Sequence, residues 1–229
     1  MEFGPRKELV TGRSIPFSIS QSYQTRYPGV AFGLTLISNC QNPANPPGFD
    51  DYKRGLLRKM RKRETLAGIT ERINLYERFF SSFGYECPLP KHLKRTVASG
   101  FPRYNLMVDT HFVAEMCAGI LVAVTDYDCF EGALTLDIAQ AGEVCRGMGQ
   151  REFVTKADEI VLRDEKDIVC VLAQGADEKT RVNEKTSRVL FYAYAVPGLE
   201  AQYIKEGLSL AAETMVRFGQ GTIEALLVR

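Results

Sequence analysis

The chain is poor in the residues that most chemistry is built on. Its 229 residues include no tryptophan and two histidines, His92 and His111, and the six cysteines are scattered with no CxxC pair. Two histidines without clustered thiols disfavour a zinc site, so no metal is expected. Dispersed cysteines beside apolar residues predict reduced, buried thiols. Gly147-Met148-Gly149 lacks the third glycine of a dinucleotide fingerprint, and there is no P-loop, HExxH or nucleophile elbow. No cofactor is expected. A Cys–His pair of His111 with Cys117 or Cys145 is the weaker reading beside a hydrogen-bonding histidine at a helix start.

No apolar run approaches the ~20 residues of a membrane span. The opening MEFGPRKELV lacks a signal peptide's apolar core, and no Asn-x-Ser/Thr sequon occurs. These absences predict a cytoplasmic protein without a membrane partner. The net charge of +1 says little about nucleic acid, because phosphate binding depends on local clustering.

Local patterns supply the elements. Phe17–Ser20 and Val30–Ser38 read as strands, the second apolar on both faces and therefore central. Leu134–Ala139, Arg188–Val196 and Thr222–Val228 also read as strands. Glu159–Arg163 and Ile168–Ala173 flank Asp164-Glu165-Lys166-Asp167, a hairpin signal. Glu200–Phe218 carries an apolar stripe at helical spacing. In Asn105–Gly132, Asp109 or Thr110 is suited to cap a helix that Gly119 ends, followed by a buried Ile120–Val124 segment and the polar turn Thr125-Asp126-Tyr127-Asp128. Strands and helices without steady βαβ alternation predict α+β, a mixed β-sheet flanked by helices.

Lys53–Arg63 places seven basic residues in eleven: Lys53, Arg54, Arg58, Lys59, Arg61, Lys62 and Arg63. With Leu56, Met60 and Ala67 at helical spacing, this is a basic amphipathic stretch running into a second helical segment, for which Thr65 or Thr70 is available as a cap. It is either a solvated helix face or an RNA-backbone contact. Lys91, Lys94 and Arg95 form a smaller cluster after Pro90, a favoured first-turn residue.

Asp109, Gly119, Asp126 and Gly132 fall, without a gap, where the B3/B4 (editing) domain of the phenylalanyl-tRNA synthetase beta subunit has Asp, Gly, Asp and Gly. The chain resembles a free-standing relative of that domain, best from about Leu66 to Val228, with the N-terminal strands and basic helix matching more loosely inside one domain of 1–229. Gln174-Gly175-Ala176-Asp177-Glu178 leading to Val182-Asn183-Glu184-Lys185-Thr186 is similar to the family's Gly-Gly-acidic and Val-Thr-x-x-Thr segments. Asp177 or Glu178 stands for the acidic residue.

The resemblance implies a mixed sheet flanked by helices, tRNA or aminoacyl-tRNA as partner, and hydrolysis of a wrongly esterified amino acid. It implies an amino-acid-sized pocket between the Thr125–Asp128 turn and the Gly175–Thr186 loop, with Asp126 and Gly175 on opposite walls. Asp126, Thr125 and Asp177 would position water or the α-amino group. Asp109, Asp128, Gln174, Gly175, Glu178, Thr180 and Thr186 would contact the small amino-acid moiety. Ala123 stands where the family has histidine, and Leu121 replaces a proline. Trans-editing is therefore one reading, a non-catalytic tRNA or amino-acid binding module a second, and hydrolysis of another small amide or ester a third. By composition alone, DEKTRVNEKT reads as an exposed loop.

Overall fold

The computed structural model describes residues 15–229. The MEFGPRKELV stretch, read above as lacking a signal segment, lies outside them. Strands β1 (Phe17–Ile19), β2 (Phe32–Ser38), β3 (Leu121–Asp126), β4 (Leu134–Ile138), β5 (Val144–Gly147), β6 (Arg151–Val154), β7 (Ile160–Arg163), β8 (Ile168–Val171), β9 (Gly175–Ala176), β10 (Val189–Tyr194) and β11 (Thr222–Val228) form three sheets. Helices are α1 (Gln21–Arg26), α2 (Phe49–Met60), α3 (Arg63–Ser82), α4 (Leu89–Ser99), α5 (Leu106–Ala118) and α6 (Ala201–Gly219). The fold is a mixed α+β arrangement.

One sheet runs β11-β2-β10-β3, all antiparallel. Every residue of β2 is buried, as expected of a strand apolar on both faces. The two faces meet different layers because side chains alternate along a strand. Phe32 stacks on Phe17 at 5.2 Å between ring centres, facing the second sheet, β1-β4-β7-β8-β9. Gly33, on the opposite face, lies against Ile204 and Leu208 of α6. The first sheet is thus sandwiched between α6 and the second sheet. In that second sheet β7 and β8 form the expected antiparallel hairpin, whose turn Asp164 organises by accepting from the N–H groups of Lys166 and Asp167 at 2.9 and 2.8 Å.

Several helix starts differ from expectation. Helix α5 begins at Leu106, because the Asn105 side chain accepts from the Val108 N–H at 3.0 Å, which carries Asp109 and Thr110 into the buried helix body. Gly119 ends α5 in the left-handed conformation as expected. Neither Thr65 nor Thr70 caps α3: Lys62 occupies that position, and Thr70 donates back to the Leu66 carbonyl at 2.8 Å. The basic stretch is two helices, parted at Arg61 and Lys62. Arg61 reaches across to the Val97 carbonyl at the end of α4, at 3.1 Å from Nε. No helix among the described residues is long and apolar enough to cross a membrane.

Candidate functional site

The loop from Asp177 to Thr186 is built by short-range hydrogen bonds and then buried. Asp177 Oδ1 accepts from the Thr180 N–H at 3.1 Å and from the Thr180 hydroxyl. Thr186 Oγ1 accepts from the Asn183 N–H at 2.9 Å, and Asn183 Oδ1 from the Lys185 N–H at 2.8 Å. Satisfying these groups internally lets Asp177, Thr180, Val182 and Thr186 turn inward while Arg181, Asn183, Glu184 and Lys185 stay out. The exposed loop suggested by composition is therefore only half exposed. Burial pushes the Asp177 carboxyl above its ordinary value, against the pull of Thr180.

This loop closes directly on the end of β3. Asp126 donates its N–H to the Thr180 carbonyl at 2.8 Å, and Thr186 donates its hydroxyl to Asp126 Oδ2 at 2.6 Å. Asp126 Oδ1 accepts from the Asp128 N–H at 3.1 Å, capping the short helical turn Tyr127–Cys129. Both Asp126 oxygens therefore have partners. Thr125 is buried next to it, with its hydroxyl 3.4 Å from the Leu190 carbonyl, and as successive strand residues the two side chains leave opposite faces. Asp128 pairs with Arg188 at 2.7 Å, and that guanidinium lies over the Tyr127 ring. Hydrogen bonds thus fill the seam where a pocket between turn and loop was expected.

A cavity of about 300 Å³ opens on the other side of Gly175, lined by Tyr85, Gly147, Met148, Arg151, Phe153 and Ala173–Ala176. Asp126 does not line it, so Asp126 and Gly175 do not share this cavity. Gly175, at φ 108°, adopts a backbone that side-chain-bearing residues rarely enter and leaves the wall open. The Gln174 amide donates to the buried carboxylate of Glu159 at 3.0 Å, leaving its carbonyl oxygen as an acceptor. Glu178 Oε2 takes the Gly149 N–H at 2.6 Å, tying the loop to the β5–β6 hairpin. Tyr85 is pushed up to about 12 by burial and by Glu159, so its phenol stays protonated at neutral pH. Arg151, exposed and without an ion-pair partner among the described residues, supplies positive charge at the rim. The volume is at the lower end of the range of small-molecule sites.

Sequence reasoning missed the β5–β6 hairpin. Gly147-Met148-Gly149, set aside as a broken glycine motif, leads from β5 into its turn, Met148–Gln150, and four-residue strands of mixed polarity give little periodic signal.

The basic residues divide. Lys53 is buried, 2.7 Å from Asp109 and 3.4 Å from Asp50, and it cannot reach a phosphate from there. Asp109 accepts from Lys53 and from the Tyr104 N–H at 2.8 Å, so its carboxylate is committed to packing. Arg54 is paired with Asp51, and Arg61 is held on α4. Arg58, Lys59, Lys62 and Arg63 are exposed without ion-pair partners among the described residues. The same holds for Lys91, Lys94 and Arg95 on α4, whose opposite face buries Leu89, Leu93 and Thr96. The Arg61–Val97 hydrogen bond ties the end of α2 to the end of α4, so the two clusters lie on helices that pack together.

His111 and His92 both rest on buried Glu115, at 3.4 and 2.9 Å, which accounts for His111 without a cysteine partner; Cys117 lies against Met60. Among the described residues, no three His, Cys, Asp or Glu side chains are grouped to hold a metal ion.

No curated protein sequence matches the chain. An N-terminal fragment of the phenylalanyl-tRNA synthetase beta-subunit from Pyrococcus horikoshii is similar in structure, with a TM-score of 0.54 at 11% identity. The likeness covers 99% of this chain and 57% of that one, so the chain spans a little over half the fragment's length. At that identity the likeness speaks for the fold, and it agrees with the mixed sheets and flanking helices described above. The B3/4 domain model matches residues 74–229, well over half of the sequence, and takes in β3, the 174–186 loop and the cavity beside Gly175. The chain belongs to the B3/4 domain family.

Proposed function

We propose that residues 1–229 act as one tRNA-directed module, which holds RNA on the cationic surface of α2, α3 and α4 and receives an aminoacyl group in the cavity beside Gly175. The observation that carries this reading is a set of seven exposed cations without ion-pair partners among the described residues (Arg58, Lys59, Lys62, Arg63, Lys91, Lys94 and Arg95), drawn from two separate stretches whose helices pack together. Such clustering is the electrostatic footprint of phosphate binding, which an overall charge of +1 conceals.

Trans-editing, the hydrolysis of a mischarged aminoacyl-tRNA, is the finer reading, and the cavity favours it. An aminoacyl ester is already activated, so a held water and donors aimed at the developing oxyanion suffice. The donor on hand is Arg151, rather than Asp126, whose oxygens are engaged, or Tyr85, whose hydroxyl is hydrogen-bonded to Glu159.

Reversing Arg58, Lys59 and Lys62 together should weaken tRNA binding and lower the salt slope by about one unit for each phosphate that is no longer neutralised. Unchanged affinity across a salt titration overturns the RNA reading. A deacylation panel of mischarged tRNAs tests the finer claim, with Arg151→Ala expected to slow the reaction on the order of 10²-fold while leaving tRNA affinity intact. A wild-type protein that binds tRNA and deacylates none of the panel is a binding module.

A further inference from the structure

Tyr104 is the one aromatic side chain among the described residues that is largely exposed, at 56%. It is not on a loose loop. Its N–H donates to Asp109 Oδ1, while Asp109 Oδ2 holds buried Lys53 of α2. Arg103 before it pairs with Asp50 at 2.8 Å, and Asn105 after it caps α5. A main chain fixed on both sides presents the exposed ring in one place, with less ordering entropy left to lose.

The ring also has neighbours that extend it. Phe112 lies 6.2 Å away between centroids at 30°, and it meets His111 at 4.7 Å and His92 at 5.4 Å. Buried Glu115 pins both imidazoles from below. A row of rings therefore runs from Tyr104 across Phe112 to His92, which sits on α4 between Lys91 and Lys94. The row thus ends on the helix that carries Lys91, Lys94 and Arg95.

We infer that this row is a stacking ledge for unpaired nucleotides, an inference resting on the RNA reading of those cations. Cations take the phosphates and flat rings take the base faces, the combination that binds single strands without reading base edges. A duplex keeps its base faces stacked inside and has nothing to lay on Tyr104. A protein partner would favour a contiguous apolar patch, whereas Tyr104 follows charged Arg103 and is the one largely exposed aromatic among the described residues.

The test uses the full chain, a short unpaired oligoribonucleotide and the blunt duplex of the same sequence. Tyr104→Ala should weaken binding of the unpaired probe about five- to 150-fold, the loss of one base stack. Tyr104→Phe should bind as wild type, the duplex should be indifferent to both changes, and the salt slope should stay the same because the phosphates keep their cations. The ledge is overturned if Tyr104→Ala binds the unpaired probe as wild type, if it weakens both probes equally, or if Tyr104 instead governs binding to anionic lipid vesicles. Reversal of Lys59 and Lys62 is the control for the underlying reading. If it weakens both probes while Tyr104→Ala weakens neither, only the ledge falls. If it changes nothing, the RNA reading falls and takes the ledge with it.

Discussion

Thr186 donates its hydroxyl to Asp126 Oδ2 at 2.6 Å, joining two buried side chains 60 positions apart in the sequence. The bond seals the end of β3 against the 177–186 loop, and with the Asp126 N–H on the Thr180 carbonyl it makes a closed seam. The carboxylate most suggestive of chemistry is thereby occupied as a staple.

Removing that staple should be felt in stability. Asp126→Ala leaves the Thr186 hydroxyl buried without its acceptor and the Asp128 N–H without its cap, a cost of about 1–3 kcal/mol. Urea denaturation should show the loss, and a Thr186→Val change should add little to it because the two act as a pair. A variant as stable as wild type that has lost deacylation would instead place Asp126 in the chemistry.

Lys53 should behave as a core residue. Lys53→Ala strands Asp109 in the interior, which typically costs about 3–5 kcal/mol. Replacing both partners, as Lys53→Met with Asp109→Leu, should recover most of that. Neither change should alter the salt slope of RNA binding, and a slope reduced by Lys53→Met in the double variant would return Lys53 to the RNA surface.

Acid should unfold the protein through two carboxylates. Burial pushes Asp164 up, but the N–H groups of Asp167, Glu131 and Lys166 and the Lys179 ammonium outweigh it and hold it below its ordinary value. Burial likewise raises Glu115, and His111 and His92 more than reverse this. With folded values depressed, the unfolded chain takes up protons first. The stabilisation is therefore complete above the ordinary values of 3.8 and 4.5 and is lost as pH falls through the lower folded ones. The urea midpoint should drop steeply there, and Asp164→Asn should flatten the drop.

Asp177 carries the opposite sign. Its folded value is raised, so its contribution is present below the ordinary value of 3.8 and is lost as pH rises through the folded one. Asp177→Asn, which keeps an acceptor for Thr180, should be at least as stable as wild type at neutral pH. A marked loss of stability at pH 7 would contradict this account of burial.

Gly33 sets how closely α6 approaches the sheet. A Cβ there would lie 2.6 Å from both Ile204 Cγ2 and Leu208 Cδ1. Gly33→Ala should cost about 1–3 kcal/mol by overpacking, read as a lowered Tm. Shortening Leu208 to Val in the same chain should restore part of it.

What could be read from the sequence is what neighbouring residues decide among themselves. The doubly apolar β2, the turn at Asp164, the stripe of α6 and Gly119 at the end of α5 are local patterns, and each is where the pattern put it. The spaced Asp, Gly, Asp and Gly of Asp109–Gly132 likewise pointed to the family. Tertiary structure alone decided which polar residues turn inward. Lys53 looks like its six basic neighbours until Asp109 of another helix removes it from solvent, and Asp126 looks like a free turn carboxylate until Thr186 reaches it. Only packing joined Lys91, Lys94 and Arg95 to α2, through Arg61 and Val97, and only packing set the cavity against β5 and β6. Charge and polarity are properties of one residue, whereas burial, pairing and convergence need a partner that the chain supplies from far away.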